Sequence, residues 1–314
     1  MAYKVTLISP EEKESLYDRH HLDPFHTCKA DVHGCAIKLY TMDHDVKDLW
    51  EDNFYAMSEG VRSHGRVIML KGRTGSPEVL YEPLAKTAFL FNFDYYGWVK
   101  SVALAVAGDI LEDEHGVHSV HGAALDMDGK GVALIAPSKT GKTTHAWGLL
   151  RQPRTRLISD DWFFVRVMGG QSFAYGSEKN CYVDVDIGDI WPEYRKLLEG
   201  AKVDNHGRSI VNLRWVTGPG SVVPSAVLHH VLLLKRDKGD PRTVRSITSD
   251  EALDHLVSND LCNPHQLVRD ERKVALRVRF FEQFLKGTEI SMVNTVASPS
   301  EVQSDILQSL GGRC

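Results

Sequence analysis

Residues 131–144, GVALIAPSKTGKTT, constrain this chain more than any other stretch. Val132, Ala133, Leu134 and Ile135 form an apolar run of strand length, and Pro137 and Gly141 follow too closely for it to continue. Lys142, Thr143 and Thr144 then open a helix. A loop at a helix N-terminus points several backbone N–H groups at one spot, and the helix dipole adds partial positive charge there. Phosphate binds well in such a place. Lys142 would reach the β- and γ-phosphates and the Thr143 hydroxyl would ligate a metal, with Ser138, Lys139, Thr140, Gly141 and Thr144 completing the nucleotide loop. Ala136 stands where the GxxxxGK[ST] pattern has its first glycine, so a plain strand-turn-helix corner is the competing reading.

The flanks favour the phosphate loop. Upstream, HSVHGAAL (118–125), an Asp/Gly turn and the strand itself read as a β-hairpin feeding the loop. Downstream, TRLISDDWFFVRV (155–167) reads as a second strand carrying Asp160 and Asp161. Paired carboxylates beside a phosphate loop are what Mg²⁺ binding and deprotonation of an incoming hydroxyl require. Consecutive strand residues point to opposite faces, so both acids reach one site only where the strand ends or bends.

This order resembles the HPr kinase/phosphorylase family and, more distantly, the nucleotide-binding half of ATP-dependent phosphoenolpyruvate carboxykinase. The matching residues are His121-Gly122 before the hairpin turn, Ser138, Gly141, Lys142 and Thr143 in the loop, and Asp160-Asp161 after it. The resemblance covers residues 115–235 and implies a mixed-sheet nucleotide-binding domain. It sets His121 beside the transferred phosphate, where the plain alternative is a buried histidine bonded to backbone. At DNHGRSIVNL (204–213) it makes Asp204 the third metal ligand, in place of a glutamate, with His206 where the family has arginine.

At 314 residues and a net charge of −5 with His neutral, the chain can bury a large core and carries no basic field for nucleic acid or anionic membrane. No apolar run approaches the roughly 20 residues that span a bilayer, and the N-terminus lacks a signal-peptide pattern. Five cysteines without CxxC spacing read as reduced thiols in a cytoplasm. His20, His21, His26, Cys28, His33 and Cys35 crowd together, but their spacing fits no zinc pattern.

The expected organisation is an α/β protein, with an N-terminal α/β unit over 1–95 and a P-loop kinase domain over 96–314. Residues 96–114 form a helix apolar on nearly every side, expected to be buried under the nucleotide sheet. Glu178 and Lys179 in a polar loop, and the basic run Arg269, Arg272, Lys273, Arg277 and Arg279, are either solvated or substrate-facing. Ser298, Pro299 and Glu301 make a capping box that starts the last helix.

The function expected is a Mg²⁺-dependent kinase that moves a phosphoryl group from ATP to a hydroxyl, of a small molecule in preference to a protein. Lys142 holds the donor, Thr143 and Asp161 hold the metal, and Asp160 accepts the proton. An HPr-type protein serine kinase/phosphorylase, and a nucleotide-responsive regulatory protein without catalysis, are the alternatives; a homo-oligomer is left open. A full phosphoenolpyruvate carboxykinase is disfavoured by length and by the absence of a recognisable oxaloacetate site.

Overall fold

The computed structural model describes residues 3–71 and 75–311, and Cys314 lies outside them. The fold is α/β with mixed sheets. The chain divides into two units: Met1–Val117 with Ser177–Lys179 and Pro264–Lys273, and His118–Gly176 with Asn180–Asn263 and Val274–Cys314. The boundary expected near residue 96 therefore falls at 117/118.

The first unit contains β1 (Lys4–Leu7), α1 (Pro10–His20), β2 (His26–Val32), β3 (Cys35–Thr41), α2 (His44–Asn53), β4 (Tyr55–Ala56), β5 (Gly65–Leu70), β6 (Glu78–Glu82), β7 (Thr87–Phe91) and α3 (Tyr96–Glu114). Its seven strands pair in the order β1-β6-β7-β5-β3-β2-β4. The all-apolar helix is α3, buried as its composition requires, but it packs on β3, β5 and β7. An all-round apolar pattern says that a helix is buried and not against which sheet.

Polar groups along α3 explain the returning segments. Asp109 takes the Tyr81 hydroxyl and Lys86 Nζ, each at 2.7 Å, and Lys273 Nζ at 2.7 Å. Asp113 takes Lys86 at 2.7 Å, Lys273 at 2.9 Å and Arg272 at 3.2 Å. Lys100 is buried against Glu178 at 3.0 Å, and Asn53 donates to the same carboxylate at 3.1 Å. Glu178 and Lys273 are thus committed to buried ion pairs, not to a solvated loop or an anion-binding lip, whereas Arg272 pairs with Asp113 at the surface and stays solvated. The N-terminal histidines also have local partners: His20 meets Asp23 and His21 meets the Asp18 carbonyl. Among the described residues no three His, Cys, Asp or Glu side chains form a metal cluster, and the four described cysteines are free and buried.

The second unit runs β8 (His118–Val120), β9 (Gly122–Met127), β10 (Lys130–Ile135), α4 (Lys142–Leu150), β11 (Thr155–Ser159), β12 (Phe163–Met168), β13 (Gln171–Gly176), β14 (Cys181–Asp184), α5 (Ile187–Ile190), α6 (Arg195–Leu198), β15 (Lys202–Val203), β16 (Arg208–Val211), α7 (Leu213–Val216), β17 (Ser225–Lys235), β18 (Val244–Ser246), α8 (Ser249–Ser258), α9 (Glu271–Lys286), β19 (Glu289–Asn294) and α10 (Pro299–Ser309). The first turn of α9 counts with the first unit. The main sheet follows the order β11-β9-β10-β17-β13-β12-β8. Strand β17 pairs with β10 on one side; on the other, its first half takes β13 and its second half β19. Strands β14, β16 and β15 form a separate small sheet.

Strand β10 shows why its run is uniformly apolar. Ala133 and Ile135 enter a core with α8 and α9 residues such as Leu256 and Phe284, while Val132 and Leu134 enter the opposite core with Trp147 and Ile306. Both faces are covered, as for a central strand of a mixed sheet, parallel to β17 and antiparallel to β9. The expected hairpin is β9–β10, turning at Asp128-Gly129. The Ser298–Glu301 capping box opens α10.

Candidate phosphate-binding site

Strands β10, β17 and β19 are parallel, and the loop after β10 lies at their carboxyl ends, where open α/β sheets bind ligands. Ala136 is fully buried and is not among the left-handed residues, so alanine meets no backbone obstacle there. The left-handed positions are Lys139 (φ 65°) and Gly141 (φ 91°), which caps α4. Glycine suits the second because a side chain there would carry a Cβ penalty at φ > 0. The Thr140 hydroxyl donates to the Pro137 carbonyl at 2.7 Å, and Thr295, just past β19, donates to the Thr140 carbonyl at 2.8 Å. Ser138 and Lys139 are exposed; Lys142, Thr143 and Thr144 form the first turn of α4 and are partly exposed.

The Asp160-Asp161 pair is not within a strand. The chain bends there between β11 and β12, the condition under which paired acids can leave strand alternation. The bend turns Asp161 to Lys142, with 3.0 Å between Oδ1 and Nζ. Asp160 is 3% exposed, whereas the Asp161 side chain is 33% exposed. His121, between β8 and β9, completes a triangle: its Nε2 is 3.3 Å from Lys142 Nζ and 3.4 Å from Asp161 Oδ1.

Gly122 explains the His-Gly pair. A Cβ there would come within 2.6 Å of the Leu134 carbonyl oxygen, so only glycine lets β9 start this close to β10. Its N–H donates to the Asp161 carbonyl at 3.1 Å, which latches the acidic bend to the histidine.

His121 has a second partner that the sequence did not indicate. Nδ1 lies 2.8 Å from the carbonyl oxygen of Cys262. A carbonyl only accepts, so Nδ1 carries the hydrogen and Nε2 faces the site. The bond to backbone expected of a buried histidine is present on Nδ1, and Nε2 lies against Lys142 and Asp161. Cys262 is buried, and burial pushes its thiol up to about 12, so it stays protonated. His145, on α4 behind the loop, is buried against Gln303, and that burial holds its pKa below the ordinary value.

Asp204 lies in the small sheet's β15–β16 turn. Its Oδ1 accepts from the N–H groups of His206 and Arg208 at 2.9 Å each, and Oδ2 takes the Arg208 guanidinium at 3.2 Å. The structure thus gives it a local capping role within that turn. Nearby Asp184 has a raised pKa, through burial first and then the charges of Asp186 and Asp204.

No protein-family model matches the chain, and no curated protein matches it. Among the described residues, no helix is long and apolar enough to cross a membrane.

Proposed function

We propose that the chain is an ATP- and Mg²⁺-dependent kinase of the HPr kinase/phosphoenolpyruvate carboxykinase-like kind, transferring the terminal phosphoryl group to a hydroxyl. The observation that carries this reading is the meeting of Lys142, Asp161 and His121 beside a loop at the carboxyl ends of parallel strands. Phosphoryl transfer asks a protein for positioning and charge neutralisation more than for covalent chemistry. The loop amides and Lys142 would hold the phosphates.

An all-oxygen donor set suits Mg²⁺, which such sites bind through one or two carboxylates plus the phosphates themselves. Thr143 and the half-exposed Asp161 supply a hydroxyl and a carboxylate of that kind and would hold the ion. Held there, the ion would supply positive charge against the phosphates, while Lys142 and the loop amides position them. The hydroxyl oxygen attacks the γ-phosphorus, the bond to the β-phosphate oxygen breaks, and ADP leaves. The hydroxyl's proton needs an acceptor, for which Asp160, Asp161 and the Nε2 of His121 are the groups at hand.

The acceptor substrate is a small-molecule alcohol in this reading. The test is ADP release from MgATP across a panel of hydroxyl metabolites, with nucleotide binding measured alongside. Acceptor-dependent ADP formation supports the kinase. Tight nucleotide binding without turnover on any acceptor favours a nucleotide-responsive regulator, and absence of both removes the reading.

A further inference from the structure

We propose that the first unit binds a free aliphatic α-amino acid in a cavity at the carboxyl ends of β3, β5 and β7. The site is separate from the phosphate loop and stands whether or not the chain transfers a phosphoryl group.

The three strands are adjacent and parallel, β5 pairing with β3 on one side and with β7 on the other. Open α/β sheets bind ligands outside such ends. Here the ends of all three line one cavity of about 210 Å³. Met42, Met69, Leu90 and Phe93 give it apolar walls; Leu90 is buried and the other three are half-buried. Thioether side chains adapt their shape to a neighbour, so this wall accepts a branched or a linear hydrocarbon. The volume lies below the roughly 300 to 1,000 Å³ of drug-sized pockets, which fits one small metabolite and not a peptide or a nucleotide.

The charged and amide groups of the lining come one from beyond each strand: Asp43 after β3, Lys71 after β5 and Asn92 after β7. Asp43 is fixed in place. Its N–H donates to the Thr41 hydroxyl at 3.0 Å, and its Oδ1 accepts from the N–H groups of Asp45 and Val46 at 2.9 and 3.4 Å as the N-cap of α2. Among the described residues Oδ2 has no partner, and Lys71 has no ion pair although a carboxylate shares its cavity. Opposite charges that line one small cavity without neutralising each other match a ligand that carries both. The ammonium of an amino acid meets Asp43 Oδ2 and its carboxylate meets Lys71 Nζ. The Asn92 amide, whose other contact is the Ser76 carbonyl at 3.5 Å, has an N–H left for the same carboxylate. The α-carbon that holds both charges also bears the hydrocarbon that the methionines, Leu90 and Phe93 would cover. A phosphorylated ligand would set its charge against Asp43, and a simple amine would set its charge against Lys71, so neither uses the whole lining.

Calorimetric titration of the full chain tests it, with L-leucine and L-methionine as probes. Saturable binding with a Kd below about 1 mM is expected for at least one of them; weaker binding of both overturns the proposal. Isocaproate, which is leucine without its ammonium, and isoamylamine, which is leucine without its carboxylate, should each bind the parent about 10- to 100-fold more weakly than L-leucine. Parity of either with L-leucine overturns the zwitterion assignment. Asparagine caps a helix as well as aspartate does, so Asp43→Asn should keep the parent melting temperature while losing about 10- to 100-fold in affinity for L-leucine. Lys71→Met should lose a similar factor. Parent-like affinity in either folded variant overturns the proposal, and should a variant not fold, the two half-ligands on the parent decide. Methyl NMR of the methionines places the ligand: L-leucine should shift the signals of Met42 and Met69, identified through Met42→Leu and Met69→Leu, and binding that leaves both unmoved overturns the site.

Discussion

Replacing Asp161 by asparagine should make the protein bind nucleotide more tightly in the absence of metal while destroying turnover. At 3.0 Å, Lys142 and Asp161 interact by about 5 kcal/mol at an effective dielectric of about 20. Side-chain exposures of 11% and 33% mean that water and salt screen this attraction and that much of it offsets desolvation. A net of about 1 to 2 kcal/mol is the reasonable remainder, corresponding to a factor of roughly 5 to 30 in an equilibrium constant. A triphosphate arriving without metal must take Lys142 from this carboxylate and approach its negative charge. Both costs vanish in Asp161→Asn. Calorimetric titration with ATP in a chelator should therefore show the variant binding roughly 5- to 30-fold more tightly than the parent, with a weaker Mg²⁺ dependence. An unchanged or lower metal-free affinity in a folded variant would refute the idea that Asp161 holds the lysine against the phosphates.

Lys142→Ala should abolish turnover and weaken ATP binding with the fold intact, by circular dichroism and calorimetry; parent-like binding would show that the loop does not hold phosphate. Raising Mg²⁺ should partly restore activity to Asp161→Asn, whereas Asp160→Asn, altered at a buried position, should show its loss in melting temperature without metal rescue. Lys273→Met should destabilise the protein in denaturant melts, by less than the roughly 3 to 5 kcal/mol of a buried charge left wholly unpaired, because it removes the buried cation that Asp109 and Asp113 share and leaves them to Lys86 and Arg272. Burial opposes their ionisation, but the Lys273 and Lys86 contacts outweigh it and hold both pKa values below the usual carboxylate range. Their contribution is thus present above about pH 4 and lost as pH falls through that value toward the lowered ones, so acid should melt the parent progressively below about pH 4. A flat profile there would contradict the pairing.

What was legible in the sequence follows from local rules. The apolar run of β10, the break at Pro137 and Gly141, the Asp128-Gly129 turn and the Ser298–Glu301 capping box each depend on neighbours a few residues away. What was not legible depends on distant parts of the chain. Nothing near Glu178 signals Lys100 or Asn53, and nothing near Lys273 signals Asp109, so both read as surface charges. The buried helix α3 announced its burial but not its sheet, which displaced the expected boundary by about two dozen residues. Asp160 and Asp161 look equivalent in sequence; the bend and the Gly122 latch separate them, burying one and presenting the other.

His121 shows why structural and chemical readings of a residue need not compete. An imidazole has two nitrogens with different environments, and here one is bonded to a backbone carbonyl while the other faces a lysine and a carboxylate. A loss of stability on mutation would therefore say nothing against the proposed role in phosphoryl transfer, because each nitrogen has its own contacts. The arrangement also explains why the left-handed turn Asp260–Cys262, which has no glycine, can persist. Relaxing it would break the Cys262–His121 bond and disturb two buried side chains, so the core holds the turn and the histidine in one arrangement. Strain in the turn and order in the site are two ends of one hydrogen bond, and a substitution at either end should be felt at the other.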